Sequence, residues 1–285
     1  MSEVKFRLQL RKNREIVFSN PVVMGIVNVS PNSFYNPHFD ASSAFYTAEK
    51  MICDGADILD IGGEATNPLV DINTDSPSLQ VELDRLVPIV EGIKKRFDVL
   101  ISVDTSRPQV MQATIDVGAD IINDQRSLRI EGALKVVKKS KSAVCLMHFP
   151  GPRQSSAVSY EHVLAIVKKD LQTAVERCEN YGLSRNQMII DPGFGQGHFG
   201  KNLKENFYLL NRLSEFLSFG LPILSGWSRK SMIGDVLNQP PKNRLFGSIA
   251  ADVLAVYQGA AIVRTHDVKA SREAICIAEY ARRLL

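Results

Sequence analysis

Short apolar runs alternate with longer amphipathic segments along this chain. The runs are rich in valine and isoleucine, and none has the strict apolar–polar alternation of a strand with one solvated face. Near-continuous hydrophobicity predicts strands that are buried on both faces, as in a parallel sheet covered by helices. Eight such strands are predicted: Val22–Val29, Asp57–Ile61, Leu100–Asp104, Ile121–Asn123, Ala143–Met147, Met188–Asp191, Pro222–Ser225 and Ala261–Arg264.

The segments between these strands have the periodicity of amphipathic helices, with an apolar stripe and a polar face. In three places a Gly-Ala pair follows a helix and precedes a strand, and glycine there supplies the left-handed turn that ends a helix. Eight helices are predicted: Ala41–Cys53, Ser78–Arg96, Pro108–Val117, Gly132–Lys139, Tyr160–Tyr181, Lys204–Leu217, Lys242–Gln258 and Ser271–Leu284.

This alternation, with no second zone of composition, favours an α/β fold of one (β/α)8 barrel over two domains. An open doubly wound sheet is the alternative, but its GxGxxG fingerprint does not follow the first strand. Ahead of the barrel, Val4–Leu10 and Ile16–Phe18 flank a polar turn and predict a short β-hairpin that plugs the bottom of the barrel. We therefore expect one domain over residues 1–285, with the hairpin in 1–20 and the barrel in 21–285.

The composition is that of an ordinary globular protein, since 45% of the 285 residues are hydrophobic and 23% are charged. The net charge of +3 is dispersed in short runs, whereas nucleic-acid-binding proteins concentrate basic residues on one face. The N-terminus has no apolar signal segment, no apolar run is long enough to span a bilayer, and the four cysteines form no CxxC pair. We expect a cytoplasmic protein with small-molecule substrates and neither nucleic-acid nor membrane partners.

Polar residues end nearly every predicted strand. In a (β/α)8 barrel the carboxyl ends of the strands form the rim that carries the active site. So many polar groups would be costly to bury without partners, which predicts a ligand site at this rim. The residues are Asn28, Asp60, Glu64, Asp104, Asn123, Asp124, His148, Asp191, Ser225, Ser228, Arg264 and His266.

The rim residues fall into two chemical groups. Asp104, Asn123 and Asp191 offer acceptors and an amide, which suit the donor edge of a flat, nitrogen-rich heterocycle. The segments Ser228–Lys230 and Arg264–His266 bring cations and hydroxyls, which suit phosphate oxygens or a ring carbonyl. Together the two groups predict a substrate that carries both a heterocycle and an anion.

Eight short motifs at these strand ends resemble those of the dihydropteroate synthases. They occur in the order found in that family and extend from about residue 22 to the end of the chain. One such motif would be a weak signal, but eight in order are specific. The motifs are MGIVNVSP (24–31), DIGGEAT (60–66), SVDT (102–105), IIND (121–124), LMH (146–148), DPGFG (191–195), SRKSMIG (228–234) and RTHDV (264–268).

The resemblance implies a barrel that binds 6-hydroxymethyl-7,8-dihydropterin diphosphate and joins it to p-aminobenzoate. The implied pterin-binding residues are Asp104, Asn123, Met147, Asp191, Phe199 and Lys230. The implied diphosphate-binding residues are Asn28, which also binds Mg²⁺, Arg264 and His266. The implied p-aminobenzoate-binding residues are Phe34, Thr66, Pro68 and Ser228. The expected catalytic residues are Arg264, His266, Lys230 and Asp104.

The resemblance also implies a mechanism and an assembly. Mg²⁺, Arg264 and His266 would neutralise the diphosphate, so that it leaves in an SN1-like step and the pterin delocalises the resulting cation. The amine of p-aminobenzoate would then attack, with positioning and electrostatic stabilisation supplying most of the rate and no covalent nucleophile from the protein. A homodimer formed through the last helices is expected.

Three loops depart from the family pattern. Asn32 and Asn36 replace two acids after the first strand, and Asn67 replaces a cation after the second. The loop after the sixth strand contains the extra residues Gln196–His198, and we align Phe199 with the pocket phenylalanine of the family, with Gln196 as the alternative. These loops lie where p-aminobenzoate enters and where loops close over the cation intermediate. The changes are interpreted as lineage drift with activity kept, and the alternatives are a different nucleophile or none, or an altered response to sulfonamides.

Two other functions share part of this pattern. A pterin-barrel methyltransferase acting on methyltetrahydrofolate would need the acids but not the diphosphate clamp of Ser228–Lys230 and Arg264–His266. A pterin-binding paralogue with altered or lost p-aminobenzoate condensation is favoured only by the three asparagines. The synthase is the leading hypothesis.

Overall fold

The computed structural model describes residues 6–29, 41–62, 77–150 and 159–284. In these ranges a two-stranded antiparallel sheet precedes an eight-stranded parallel sheet. The strands are β1 Phe6–Gln9, β2 Glu15–Phe18, β3 Val22–Asn28, β4 Ile58–Gly62, β5 Leu100–Asp104, β6 Ile121–Asp124, β7 Ala143–Met147, β8 Met188–Asp191, β9 Leu224–Ser225 and β10 Ile262–Thr265.

The eight parallel strands confirm the predicted barrel. Their order is β8-β7-β6-β5-β4-β3-β10-β9, so that neighbours in the sequence are neighbours in the sheet, apart from the return from β10 to β3. A parallel bridge between Ile190 and Ile223 links the two ends of the sheet, which nearly closes the ring. The carboxyl ends of all eight strands therefore meet at one rim.

Nine α-helices lie in the described ranges, and eight of them correspond to predicted helices. They are α1 Ala41–Cys53, α2 Leu79–Arg96, α3 Pro108–Asp116, α4 Ala133–Ser140, α5 Val163–Tyr181, α6 Leu203–Asn211, α7 Ser231–Leu237, α8 Leu245–Tyr257 and α9 Val268–Arg282. None of them has the length and hydropathy that crossing a bilayer requires.

The structure differs from the helix predictions in two places. The helix predicted over Lys204–Leu217 is α6 followed by a 3-10 helix at Leu213–Phe219, because the amide of Arg212 bonds at once to the carbonyls three and four residues before it and tightens the chain. The seven-residue helix α7 was not predicted, since it is too short to show a periodic stripe.

The N-terminal hairpin closes the amino end of the barrel, as predicted. Phe6 pairs with Phe18 in an antiparallel register, and Leu8, Leu10 and Phe18 are buried against the first residues of several barrel strands. Arg14 also forms an ion pair with buried Asp120, which Lys94 contacts at 2.9 Å. The hairpin is thus fixed at the end opposite the polar rim.

Candidate active site

Arg264 in β10 lies at the centre of the polar rim. Its Nε donates to Asp60 Oδ2 at 2.6 Å, and one terminal nitrogen donates to Asp104 Oδ2 at 3.0 Å. Burial disfavours the charge on Arg264, but the two carboxylates outweigh that effect and raise the pKa of its guanidinium. The arginine is therefore a permanently charged group between two acids.

Two amide side chains on β6 and just beyond it complete this network. Asn123 donates to Asp60 Oδ2 at 3.1 Å. Gln125 donates to both carboxylate oxygens of Asp104, at 3.0 and 3.2 Å. The sequence had placed Asp60 at the rim without a role and had not singled out Gln125, because partners so distant in the chain leave no local signal.

Asp191 at the end of β8 and Lys230 after β9 influence each other electrostatically at the barrel mouth. Burial raises the pKa of Asp191, against the opposing effects of Lys230 and of the hydrogen bond from Gly193 N to Asp191 Oδ1 at 2.7 Å. Burial lowers the pKa of Lys230 to about 8, although Asp191 opposes the shift. Burial thus disfavours the charged form of each group, and the opposite charge of the other partly offsets that effect.

Lys230 also contacts the loop that follows β8. Its Nζ donates to the carbonyl of Phe194 at 2.5 Å and lies 5.0 Å from the centre of the Phe199 ring. Phe199 is buried and packs edge-on against Phe149, with 5.8 Å between ring centres. Phe199, rather than Gln196, is thus the residue beside Lys230, because Gln196 bonds outward to Asp235 at 2.8 Å.

His266, Ser228 and Asn28 form a third group. The ring of His266 has Nδ1 3.0 Å from Ser228 Oγ and Nε2 3.3 Å from Asn28 Nδ2. Ser228 Oγ also accepts the backbone N–H of His266 at 3.1 Å. Burial, followed by the cations Arg264, Arg229 and Lys230, lowers the pKa of His266 to about 3. The ring is neutral near pH 7 and offers hydrogen bonds rather than charge.

Several other residues of the rim motifs stabilise the turns that follow the strands. Asp124 accepts the amides of Arg126 and Leu128, at 2.8 and 2.6 Å, and so closes the turn after β6. Arg229 forms a two-pronged ion pair with Asp267, both contacts at 2.7 Å. The ion pair of Arg229 and Asp267 links the turns after β9 and β10.

The remaining predicted residues lie partly outside the described ranges. Met147 ends β7 and is buried, close to Gly193 of the loop after β8. Phe34, Thr66 and Pro68 are outside the described residues, as are the substitutions Asn32, Asn36 and Asn67.

The described rim residues offer oxygen ligands suited to Mg²⁺ but no complete set of protein ligands. Within the described ranges no three His, Cys, Asp or Glu side chains are grouped to hold a metal ion. Asn28 turns its amide nitrogen to His266, which leaves its oxygen facing away from that ring. Mg²⁺ often takes one or two protein oxygens and completes its shell with water and substrate phosphates. The donor set therefore suits an ion that arrives with a phosphate-bearing ligand.

Known proteins resemble this chain over nearly its whole length. The family model described as pterin binding enzyme matches residues 24–266. The dihydropteroate synthase of Escherichia coli (strain K12) is 46% identical over 265 residues, which is 92% of each chain. That of Haemophilus influenzae is 43% identical, over 92% of this chain and 94% of the relative.

Solved structures extend the similarity to three dimensions. A dihydropteroate synthase from Coxiella burnetii, in complex with pteroic acid, is 63% identical with a TM-score of 0.94, over 98% of this chain and 100% of that one. The Yersinia pestis dihydropteroate synthase in a sulfonamide drug complex is 42% identical with a TM-score of 0.89, over the same shares of the two chains.

Proposed function

The chain belongs to the pterin-binding enzyme family as one of its dihydropteroate synthases, which are transferases, and from this membership we propose the reaction that it performs. It condenses 6-hydroxymethyl-7,8-dihydropterin diphosphate with p-aminobenzoate to give 7,8-dihydropteroate and diphosphate, a step of folate biosynthesis. The pteroic acid in the Coxiella burnetii structure supports this choice of product class.

The observation that carries the proposal is the set of acceptors opposite a cation in one barrel mouth. Asp104, Asn123 and Asp191 are acceptors for the amino and ring N–H groups of a pterin. Lys230, which lies beside Phe199, is a donor for the ring carbonyl. Met147 and Phe199 supply apolar surface for the ring faces.

The diphosphate would bind where Arg264, His266 and Asn28 meet. Arg264 has terminal nitrogens that can exchange Asp104 for phosphate oxygens while Nε stays on Asp60. His266 and Asn28 add hydrogen bonds, and Asn28 would contribute an oxygen to Mg²⁺. When bound, Mg²⁺ supplies positive charge that makes the diphosphate a better leaving group.

The chemistry needs no covalent bond to the protein. The bond between the methylene carbon and diphosphate breaks, and its electron pair leaves with the diphosphate. The acceptors Asp104 and Asp191 hold the pterin while its ring delocalises the positive charge. The amine of p-aminobenzoate then forms the new C–N bond and releases one proton to solvent. Fixed geometry and preorganised charge supply the rate enhancement.

The p-aminobenzoate slot is proposed from four residues, of which Ser228 lies in the described part of the chain. Ser228, held by His266, is its described member, and Phe34, Thr66 and Pro68 complete the proposed set. The sulfonamide complex of the Yersinia pestis relative supports a slot for such anilines in this family. The alternative is a pterin-binding paralogue in which Asn32, Asn36 and Asn67 alter or abolish the condensation.

A turnover assay separates these two functions. The purified chain is mixed with the pterin diphosphate, p-aminobenzoate and Mg²⁺, and both dihydropteroate and released diphosphate are followed. We expect both products, and we expect EDTA to abolish their formation and added Mg²⁺ to restore it.

Arg264→Ala should lower kcat by about 100-fold, the order found for loss of one preorganised charge-stabilising donor. Lys269→Ala, which removes an exposed cation from α9, is the control and should leave kcat unchanged. Tight pterin binding without dihydropteroate would instead identify the paralogue.

A homodimer through the last two helices is part of the proposal. Phe246 on α8 is 82% exposed, and Ile277 and Tyr280 on α9 are 75% and 71% exposed. Large apolar side chains on two adjacent helices are typical of an interface with a partner. Sedimentation equilibrium should give twice the mass of one chain, and Phe246→Asp should shift it to the monomer. A cytoplasmic location and the assignment of 1–285 to one domain remain predictions from the sequence.

A further inference from the structure

Asp60 is a fully buried carboxylate that contacts Arg264, a proposed diphosphate-binding residue, and Asn123, a proposed pterin-binding residue. It is itself in neither of these sets. Its Oδ2 accepts from Arg264 Nε at 2.6 Å and from Asn123 Nδ2 at 3.1 Å. Its Oδ1 is buried and makes no hydrogen bond to any residue that the structure describes. A charge in such a place is costly unless it is paired, which suggests that its position serves more than packing.

The three residues come from alternate strands of the sheet. Arg264 is on β10, Asp60 on β4 and Asn123 on β6, with β3 and β5 between them. Side chains from alternate strands share a layer inside a barrel of this kind. Asp60 therefore joins one side of the mouth, where the anion is proposed to bind, to the other, where the heterocycle is proposed to bind.

We propose that Asp60 is a positioning residue that sets the orientation of both Asn123 and Arg264 for the substrate. This inference rests on the proposed function, because it concerns how the pterin and the diphosphate are held.

For Asn123 the reason is the asymmetry of an amide. A carboxylate can only accept hydrogen bonds, so Asn123 must turn its NH₂ group toward Asp60. Its oxygen then faces the opposite way and joins Asp104 and Asp191 as a third acceptor for the donor edge of the pterin. Without Asp60 the amide could rotate and present NH₂ to that edge, where two donors would meet.

For Arg264 the reason is the rigidity of the guanidinium plane. With Nε held on Asp60, the terminal nitrogens are fixed in direction, and the contact with Asp104 at 3.0 Å lies on one of them. Arg264 can then exchange Asp104 for a phosphate oxygen without moving its stem. Loss of the anchor would let the arginine swing toward Asp104 and weaken both sites at once.

The test is pterin binding, measured by calorimetry with the pterin diphosphate and Mg²⁺ but no p-aminobenzoate. Asp60→Ala should weaken binding by about 100-fold, since two hydrogen bonds to a charged group are lost. Asp60→Asn keeps an oxygen at the same place and should recover at least a part of that loss. In steady-state assays the KM for the pterin diphosphate should rise, whereas the KM for p-aminobenzoate should stay constant.

Ser102→Ala is the matched control. Ser102 is the register partner of Asp60 on β5, is fully buried, and has an Oγ with no hydrogen bond within the described ranges. Ser102→Ala removes a buried polar atom that forms no hydrogen bond with Asn123 or Arg264, so pterin binding should not change.

A double-mutant cycle distinguishes positioning from simple destabilisation of the fold. If Asp60 acts in part through Asn123, then Asp60→Ala should weaken pterin binding less in the Asn123→Ala background than in the wild type. Fully additive effects, or binding by Asp60→Ala within threefold of the wild type, would overturn the inference. Failure of the wild type itself to bind the pterin diphosphate would refute the proposed function, so the two failures can be told apart.

Discussion

The charge on Lys230 depends on its surroundings more than on its chemistry. Burial lowers its pKa to about 8, even though Asp191 lies nearby and favours the cation. A lysine with that pKa is cationic below pH 8 and neutral above it. The proposed hydrogen bond from Lys230 to the pterin carbonyl is therefore strengthened by a positive charge below about pH 8 and not above it.

We predict that kcat/KM for the pterin diphosphate falls above about pH 8 in the wild type. The physical reason is loss of the Lys230 cation as pH rises through its folded-state pKa. Lys230→Arg keeps a cation to much higher pH, so its profile should lack this inflection even if its maximal rate is lower. Equal inflections in both proteins would assign the titration to another group.

Asp252 on α8 is another buried acid, and it is not one of the proposed binding residues. Burial raises its pKa to about 8, while its contact with Ser271 at 2.8 Å opposes the shift. The folded protein thus holds a proton that the unfolded chain releases near pH 4, so stability should fall as pH rises from about 4 to about 8.

The corresponding prediction is that Asp252→Asn stabilises the protein increasingly over that pH range. The amide is uncharged and its oxygen can still accept the hydroxyl of Ser271, so the gain should be small near pH 4.5 and reach a few kcal/mol above pH 8. Thermal unfolding at both pH values measures it. Asp116→Asn removes an exposed carboxylate from α3 and should show no such trend. A constant difference between wild type and Asp252→Asn at all pH values would contradict the prediction.

At the scale of elements, the loop after β8 contains a glycine that lets two backbones approach closely. Gly193 has φ of 69°, and a Cβ there would collide with the backbone carbonyl of His148. Its amide also bonds to Asp191 at 2.7 Å, and Lys201 donates to its carbonyl at 2.7 Å. The loop that carries Phe194 and Phe199 is thus held against β7 by a close approach of two backbones.

We expect Gly193→Ala to cost stability and to weaken pterin binding. Gly220→Ala is an unusually clean control, because its φ of 65° imposes the same backbone strain while nothing lies within 4 Å of the added Cβ. The difference between the two variants therefore measures the close approach alone. Thermal unfolding and pterin calorimetry should show a larger loss in both properties for Gly193→Ala; equal losses would mean that only the backbone angle matters.

The elements of the barrel were predictable because burial on both faces leaves continuous apolar runs, as in Ala143–Met147. Short elements such as α7 were not, since one or two turns carry no period. Resemblance named the separate members of the candidate site, but it did not give their pairing. The contact between Asp60 and Arg264 joins residues 204 positions apart, and nothing in either local sequence encodes it.

At the scale of the whole molecule, the two ends of the barrel differ in chemistry. The carboxyl ends of the strands hold charged groups whose pairing is costly and specific, as at Asp60 and Asp191. The amino ends are closed by apolar side chains of the hairpin, with Leu8 and Phe18 packed against residues such as Ile58 and Leu224. The contribution of the hairpin to stability therefore comes from the end of the barrel opposite the proposed chemistry.

This division predicts that the hairpin can be weakened without changing turnover. Leu8 is fully buried, so Leu8→Ala should lower stability by roughly 2–4 kcal/mol through lost burial and the cavity left behind. Val17 lies on the same hairpin but is 40% exposed, and Val17→Ala should cost much less. Below the melting temperature of each variant, kcat and both KM values should match the wild type, because the rim is at the opposite end of the strands. A fall in kcat with Leu8→Ala at temperatures where it is fully folded would show that the plug transmits strain through the barrel to Asp60 and its partners.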